Sequence, residues 1–429
     1  MPAFLRDLVP THGPIVRFHN IVGPDVYFAA EPAAIEEVLV GKAGSFSKAR
    51  GTRRMRRLLG NGLLTAERPE HLPHRRLVQP AFHRKRLDDY ARVMVAASLA
   101  RVASWQHGSI IEVDRETNRL ALEIAAQALF GADLRGDMDA ISRALNESMA
   151  TFPASMLPFS EVFDHLPVPI TLRFKRAKRT LDAVVLRMVR EHRADGRDRG
   201  DVLSMLLTAY DDETKGRMDD QQIRDEAMTI LLAGHETTAN ALAWTFYLLQ
   251  RHPAVEAELA AQLDAVLGGR TPTFEDVSRL GYVRALLAEA MRLYPPAWIT
   301  ARRATEAVTI GGYRLRRRDV VIVSQWVTHR DPRFWSEPER FDPARFLRPL
   351  PAERFAYFPF GAGTRMCIGE AFAWTEGILA IATIAQRVRL ERVSDRDVAT
   401  LPLVTLRPRT PIRARVSVRA YEPLQSAPA

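Results

Sequence analysis

The sequence predicts a mainly α-helical domain with a small β-rich region, built around one long central helix. The segment 220–251 is largely apolar, Asp219 followed by Gln222 is typical of a helix start, and Pro253 ends the helix. A helix of that length is about 45 Å long and would cross the whole domain. Long helical patterns also extend over residues 84–251, which makes helix the dominant element.

The β-rich region is predicted from short runs of β-branched and aromatic residues beside glycine turns. Runs 15–18 and 26–28 flank Gly23-Pro24-Asp25, which predicts a hairpin. Further strands are predicted at 308–310 and 320–323.

Composition indicates an ordinary globular protein. The chain has 429 residues, of which 47% are hydrophobic and 26% charged, with no repeat or low-complexity linker. We therefore expect one domain over residues 1–429, and a monomer. We see no run of about 20 apolar residues and no signal peptide, which argues against a membrane anchor. A single cysteine excludes an intramolecular disulfide and fits a reducing cytoplasm.

The net charge of +10 raises the question of a nucleic-acid partner. The basic runs 53–57 and 173–179 lack the aromatic residues that accompany them in recognition surfaces. We interpret both as solvated helix faces and expect no nucleic-acid binding.

Cys367 is the single cysteine, and the residues around it suit a sulfur that binds iron. Gly361 and Gly363 let the backbone turn tightly and approach a flat ligand, and Phe360 can shield the sulfur from water. A predicted helix follows, whose N-terminal amides favour a thiolate. The alternative is a buried structural cysteine, the usual role of a lone cysteine, but it does not explain this spacing.

The run 360–369 resembles the haem-binding loop of the cytochrome P450 superfamily, the haem-thiolate monooxygenases. It fits the pattern F-G-x-G-x-R-x-C-x-G at every fixed position. The resemblance spans about residues 14–408 and implies a single triangular haem domain, with an N-terminal lead shorter than in relatives. It implies that Cys367 is the proximal ligand of iron protoporphyrin IX (haem b).

The resemblance also implies the reaction. One oxygen atom of O2 would be inserted into a lipophilic small molecule of the terpenoid, carotenoid, fatty acid or steroid class. NAD(P)H would act only indirectly, through a reductase and a separate ferredoxin or flavodoxin. The alternative is a haem-thiolate protein that does not activate O2, such as a binder, a sensor, or a peroxide-driven or rearranging enzyme. The threonine discussed next favours the monooxygenase, because peroxide-dependent relatives commonly lose it.

Residues 233–238 carry a polar patch inside the predicted central helix. Gly234 costs about 1 kcal/mol relative to alanine there, and an acid followed by threonines suits a buried helix poorly. The patch is similar to the family motif A-G-x-D/E-T-T. The similarity implies a helix opened locally over the haem, with Glu236 and Thr237 as the acid and alcohol that deliver protons for O–O cleavage. The alternative is a core helix with an incidental polar patch.

Glu289 and Arg292 lie three residues apart on a predicted helix and can pair. Surface pairs of this kind are common, so the pair alone means little. The family has the same E-x-x-R pair, completed by a later arginine in a buried triad that braces the haem-binding region. The resemblance gives that third role to Arg340, within Pro338-Glu339-Arg340-Phe341.

The family also aims basic side chains at the haem propionates. The resemblance gives this role to Arg365, Arg75, His71 and Arg302, with Arg303 as a substitute for Arg302. Pro73 suggests that the helix carrying Arg75 begins after His71, which makes His71 the less secure of the two.

Candidate residues of the substrate pocket are mainly apolar, which favours a lipophilic ligand held by shape. They are Ile230, Ala233, Trp298, Ile299, Thr300 and the segment 156–163. The stretch 294–299 resembles bacterial carotenoid-hydroxylating members of the family.

A basic patch is expected on the proximal haem face, where the family presents this helix. It consists of Arg75, Arg76, Arg84, Lys85 and Arg86. Such a patch would steer an acidic ferredoxin or flavodoxin toward the cofactor.

Overall fold

The structure of the protein is a computed structural model. It describes residues 1–21, 23–134, 136–157, 159–211, 213 and 216–419. Helices dominate this part of the chain, as predicted. The α-helices are α1 (Pro2–His12), α2 (Pro32–Glu36), α3 (Arg50–Arg54), α4 (Arg56–Leu59), α5 (His71–Val78), α6 (Arg84–Ala103), α7 (Val113–Phe130), α8 (Met138–Ser155), α9 (Ser160–Phe163), α10 (Pro169–Asp195), α11 (Val202–Thr208), α12 (Asp220–Arg251), α13 (Pro253–Leu267), α14 (Gly281–Leu293), α15 (Gln325–Thr328) and α16 (Glu370–Arg387).

The strands are short. They are β1 (Ile15–Phe18), β2 (Val26–Ala29), β3 (Phe46–Lys48), β4 (Ile110–Glu112), β5 (Tyr210–Asp211), β6 (Gly216–Arg217), β7 (Thr300–Ala304), β8 (Val308–Ile310), β9 (Tyr313–Leu315), β10 (Val320–Val323), β11 (Val388–Arg392), β12 (Thr400–Pro402), β13 (Leu406–Pro408) and β14 (Arg413–Val418).

The predicted central helix is confirmed as α12. Asp219 and Gln222 form a reciprocal capping box, with N–O distances of 2.8 and 2.9 Å, and the helix ends just before Pro253. Its middle packs against α7, α14 and α16, with Trp244 fully buried. The helix therefore forms the axis around which the others are arranged.

The predicted hairpin and both later strands are also confirmed. A mixed sheet has the order β1-β2-β10-β7-β3, in which β10 runs parallel to β2 and antiparallel to β7. The sheet thus joins the first 50 residues to the segment 300–323, and β7 brings its side chains to the edge of the large internal cavity. In the described part of the chain, no helix is both long and apolar enough to cross a membrane.

Candidate active site

Cys367 lies in a tight loop before α16. Its N–H donates to the Phe360 carbonyl oxygen at 3.0 Å. Gly361 and Gly363 have φ angles of 70° and 68°, and a Cβ atom on Gly363 would lie 2.2 Å from the Leu39 carbonyl oxygen. Glycine is therefore required at Gly363 for conformation and for space.

The Cys367 side chain opens into the internal cavity, whose volume is about 490 Å³. Burial raises the pKa of the Cys367 thiol to about 11, and the Gly369 N–H acts in the opposite direction. The predicted helix N-terminus follows the sulfur, since α16 begins at Glu370, but its effect on the thiol is smaller than that of burial. A coordinated metal ion would ionise the thiol outright.

One side of the same cavity carries a concentration of positive charge. Its basic lining residues are Lys48, His71, Arg75, Arg302 and Arg365. Burial, followed by the charge of Arg365, lowers the pKa of Arg302 to about 10, of Lys48 to about 6 and of His71 to about 3. Among the described residues, Glu67 is the carboxylate that pairs with this cluster, at 2.9 Å from Arg365 Nη2. The cluster suits an anionic ligand with more than one carboxylate.

The structure distinguishes between the candidate cations. Successive strand residues point to opposite faces, so Arg302 lines the cavity whereas Arg303 lies near Arg53 and other arginines outside it. His71 is buried at the first residue of α5, which begins earlier than predicted because Pro73 is tolerated in a first helical turn. Arg75 Nη1 donates to the Met366 carbonyl oxygen at 2.7 Å, which ties α5 to the cysteine loop.

One buried polar group in this region, Lys48, was not predicted from the sequence. Lys48 donates to the carbonyl oxygens of Leu63, Leu64 and Ala66, and thereby holds the segment before α5. Lone lysines in short strands carry no sequence signal for such a role.

Ala233, Gly234 and Thr237 line the cavity, as the motif predicts. The predicted opening of the helix is absent, because α12 runs without interruption from Asp220 to Arg251. The Thr237 hydroxyl donates to the Ala233 carbonyl oxygen of its own helix at 2.7 Å. The polar patch is therefore accommodated inside a regular helix.

Glu236 lines the cavity but is held from the β12–β13 hairpin. Its Oε1 accepts hydrogen bonds from Arg407 Nε, at 2.7 Å, and from the Thr405 hydroxyl. Burial raises the pKa of Glu236, but the charge and hydrogen bond of Arg407, together with Thr405, outweigh burial and lower it overall. This pairing could not be predicted from the sequence, because the partners are far apart along the chain.

Glu289 and Arg292 form the predicted buried pair, with N–O distances of 2.7 and 2.8 Å and fully buried side chains. Arg340 does not complete it. Its guanidinium is exposed and pairs with Glu337, and only its carbonyl oxygen contacts Arg292. The third guanidinium is that of Arg345, 3.4 Å from Glu289 Oε1 and nearly buried. The segment repeats the pattern Pro-x-Arg-Phe, and the second copy is the one that faces inward.

A family model for cytochrome P450 matches residues 1–414. The chain belongs to the cytochrome P450 family. Among curated relatives, cyclooctatin synthase of Streptomyces melanosporofaciens is 40% identical over 408 residues, covering 94% of this chain and 88% of the relative. Cyclooctat-9-en-7-ol 5-monooxygenase of the same organism is 37% identical over 91% of this chain and 85% of the relative. Pentalenene oxygenase of Streptomyces avermitilis is 34% identical over 97% and 93%.

The crystal structure of the cytochrome P450DA heme domain matches this P450 with a TM-score of 0.87. The two are 30% identical, and the match covers 98% of this chain and 93% of the other. These similarities confirm the predicted fold and identify the chain as a P450 monooxygenase, an oxidoreductase that uses O2. The family uses haem and receives electrons from redox partner proteins.

The substrate side of the P450 cavity differs in part from the prediction. Ile230, Ala233, Ile299 and Thr300 line it. Trp298 does not, because its ring is buried elsewhere and its Nε1 donates to the Leu403 carbonyl oxygen at 3.0 Å.

The segment 156–163 is likewise absent from the cavity lining, and residue 158 lies outside the described residues. Its described apolar side chains are mostly exposed, and residues of the preceding helix α8 line the cavity instead. The α8 residues that line the cavity are Ser148, Met149, Thr151, Phe152 and Ser155.

The expected basic patch is smaller than predicted. Arg76 pairs with Asp211 and Glu213, both at 2.9 Å, and Arg86 donates to the Gly200 carbonyl oxygen. Arg75 donates to the Met366 carbonyl oxygen in the cysteine loop. Arg84 and Lys85 are exposed and make no side-chain hydrogen bond or ion pair with other described residues.

Proposed function

We propose that this P450 is a haem b monooxygenase that inserts one oxygen atom into a terpenoid, within a single haem domain spanning residues 1–429. The observation that carries the proposal is a lone cysteine that opens into an internal cavity between the motif of α12 and a cluster of buried cations. When bound, haem supplies the iron centre at which O2 is activated. Binding of the substrate and movement of protons depend on the chain's own residues.

The donor set in the cavity fits haem. Cys367 supplies the one sulfur ligand, and the excess of buried positive charge around Arg302 and Arg365 matches two propionate groups. Arg75 and His71 extend the same cluster. Buried cations without enough carboxylates are costly, so a doubly anionic ligand would relieve that cost.

Glu236 and Thr237 are proposed to move protons to the reaction. One carboxyl oxygen of Glu236 is anchored by Arg407, so the other stays available at the cavity lining. The Thr237 hydroxyl donates to Ala233, and its lone pairs can hold a water or accept a proton. Glu236 and Thr237 can therefore transfer one proton at a time to an acceptor in the cavity.

The substrate class is proposed from the cavity surface. Thr151 and Ser155 line it, but their hydroxyls donate to backbone carbonyl oxygens of their own helix. Among the described residues, the lining hydroxyls of Ser148 and Thr229 have no hydrogen-bond partner, and the rest of the wall is mainly apolar. Such a wall suits a hydrocarbon skeleton that is held by shape. Relatives whose names specify cyclooctat-9-en-7-ol and pentalenene support a terpenoid over a fatty acid or a steroid.

Electrons are proposed to come from an acidic ferredoxin or flavodoxin that docks near Arg84 and Lys85, with NAD(P)H acting only through a reductase. Arg84 and Lys85 are exposed next to α5 and pair with no other described residue, which favours an acidic partner.

The decisive experiment combines spectroscopy with turnover. The purified holoprotein is expected to show a thiolate signature in its reduced carbon monoxide spectrum, and Cys367→Ala is expected to lose it because the chain has no other cysteine. Incubation of the wild type with cyclic terpenes, a surrogate ferredoxin and its reductase should give a product with one added oxygen atom, labelled by 18O2. A Cys367→Ala variant with the wild-type spectrum would overturn the ligand assignment. Products from fatty acids but not terpenes would overturn the substrate class.

A further inference from the structure

A line of polar groups leads from the buried Glu236 to the protein surface. Glu236 on α12 is 5% exposed, and its Oε1 accepts from Arg407 Nε at 2.7 Å. Arg407 Nη1 donates in turn to Asn146 Oδ1 at 2.9 Å. Asn146 is exposed on α8, and the Arg407 side chain is 18% exposed. The line therefore crosses a seam between α8 and the β12–β13 hairpin, defined by Asn146 and Arg407.

The hairpin that carries Arg407 is fixed to the central helix. Trp244 Nε1 on α12 donates to the Leu406 carbonyl oxygen at 2.9 Å, and the Leu406 N–H donates to the Pro296 carbonyl oxygen at 3.0 Å. Thr405 and Val404 of the same hairpin line the cavity. The backbone on either side of Arg407 is thus held against both α12 and the substrate side of the cavity.

The groups around Glu236 keep it ionised. Arg407 and the Thr405 hydroxyl bind the same oxygen, and their joint effect lowers the pKa of Glu236 in spite of burial. His235 is also buried, and burial lowers its pKa to about 4, so it is neutral at neutral pH. Asn240, one turn further along α12, donates to the Glu236 backbone carbonyl oxygen and adds no charge. Arg407 is thus the charged group that determines the state of Glu236.

We propose that Arg407 is a positioning residue for Glu236, and that the seam between α8 and the β12–β13 hairpin is where protons enter from solvent. This inference rests on the proposed role of Glu236. With Oε1 anchored, Oε2 makes no hydrogen bond to any residue in the described part of the chain and is the free oxygen of a cavity-lining carboxylate. Water that enters through the seam carries the proton to Oε2, because Arg407 stays protonated and does not relay it, and the proton then leaves to an acceptor in the cavity. Glu236 returns to its carboxylate, and no electrons are transferred.

Four variants of the holoenzyme test the inference. Arg407→Met removes the charge, and Arg407→Lys keeps it but loses the planar fork that reaches both Glu236 and Asn146. Asn146→Leu blocks the seam with an apolar side chain while the Arg407–Glu236 contact stays. Arg409→Met is the matched control, because Arg409 is exposed and lies two residues beyond Arg407.

Turnover, product formed per nicotinamide oxidised and the solvent deuterium isotope effect are measured against pH with a terpene substrate. We expect Arg407→Met to lower product formation about tenfold, to raise the isotope effect and to move the acidic limb of the profile to higher pH. Arg407→Lys should recover part of the loss. Asn146→Leu should raise the isotope effect without moving the acidic limb. Turnover and isotope effects for Arg407→Met and Asn146→Leu within about twofold of Arg409→Met would overturn the inference while the monooxygenase function stands.

A second measurement does not depend on turnover. A carboxylate whose pKa is lowered in the folded state stabilises the fold above its ordinary pKa, and this stabilisation is lost on acidification. The unfolding free energy of the wild type should therefore exceed that of Arg407→Met by a margin that shrinks as the pH falls below about 4.5. A margin independent of pH would overturn the positioning role, even if no terpene product were found and the proposed function had failed separately.

Discussion

Thr237 is a single hydroxyl at the cavity lining, and its bond to the Ala233 carbonyl oxygen leaves its own lone pairs open. We expect Thr237→Ala to bind haem and substrate normally but to divert electrons from product to hydrogen peroxide, because ordered proton delivery is lost. Product and peroxide per nicotinamide oxidised are the measurements. The control is Thr245→Ala, which removes the same kind of hydroxyl bond, to Ala241, two turns along α12. Equal coupling in the two variants would remove Thr237 from proton delivery.

Glu376 is a fully buried acid on α16 with little to compensate its burial. Neither carboxyl oxygen has a well-aligned hydrogen bond within the described residues, and burial raises its pKa well above the usual value, although the Thr238 hydroxyl acts in the opposite direction. A folded state that binds this proton more tightly than the unfolded state loses stability as the pH rises through the ordinary glutamate pKa.

We therefore expect Glu376→Gln to be more stable than the wild type at neutral pH, with the difference vanishing near pH 4, about where unfolded glutamate protonates. Denaturant unfolding at several pH values measures this difference in the free energy of unfolding. Glu258→Gln, at an exposed position on α13, is the control and should change little. A Glu376→Gln variant that is less stable at every pH would show that the interaction with Thr238 outweighs the cost of burying the acid.

At the level of residues, the residue types that form the site were easier to predict than the direction in which each side chain points. The structure places Cys367 and Thr237 at the cavity and pairs Glu289 with Arg292, as the short motifs predicted, because short spacings constrain neighbouring residues. It could not tell which of two nearby arginines points inward. Strand alternation decides between Arg302 and Arg303, and the path of an irregular segment decides between Arg340 and Arg345.

At the level of elements, α14 is joined to the irregular segment 338–345 by the buried Glu289 cluster. Removing Arg292 leaves a buried carboxylate short of its main partner and should cost about 3–5 kcal/mol. Arg345→Met should cost less than Arg292→Met, because Arg292 remains. Arg340→Met is the matched control and should stay within about 0.5 kcal/mol of the wild type, since its side chain is exposed.

Denaturant unfolding and haem retention measure this ranking. An Arg340→Met variant that loses haem as readily as Arg345→Met would restore the original prediction that Arg340 belongs to the cluster.

Elements with strong end signals were predicted well and those without them were not. The capping box of α12 and the glycine turn before β2 fixed both elements to within a residue or so. The start of α5 was predicted too late. Pro73 was expected to prevent a helix from including His71, but proline is tolerated in the first turn of a helix. The segment 156–163 was predicted in the pocket from its apolar side chains, yet the burial of such side chains depends on tertiary contacts that a local pattern does not contain.

At the scale of the whole molecule, the least predictable feature is the meeting of distant segments. Glu236 meets Arg407 across 171 residues of the chain, and Arg365 meets Glu67 across 298. No spacing rule links such pairs, since the contact is made by packing of α12 against the β12–β13 hairpin and of the cysteine loop against the segment before α5. The cavity exists only once these segments have assembled.

The surface cations that can attract an acidic redox partner are fewer than the sequence predicted. Of the five cations expected to form the docking patch, three have partners in the protein, and Arg84 and Lys85 remain available. The net charge of +10 attracts any acidic partner, so a local patch must be separated from the global field. Neutralising Arg84 and Lys85 to glutamine should slow reduction by an acidic ferredoxin several-fold, with substrate affinity unchanged. Neutralising Arg314 and Arg317, exposed around β9, changes the net charge equally and should slow reduction far less.

Stopped-flow reduction at subsaturating ferredoxin measures both effects. Because the Debye length is about 10 Å at 0.1 M salt, the wild-type rate should fall as salt rises, and the rates of the two double variants should converge. Equal slowing in the two variants at low salt would mean that only net charge matters. An unchanged rate in the Arg84 and Lys85 variant, with slowing in the other, would move the docking surface to the face that carries β9.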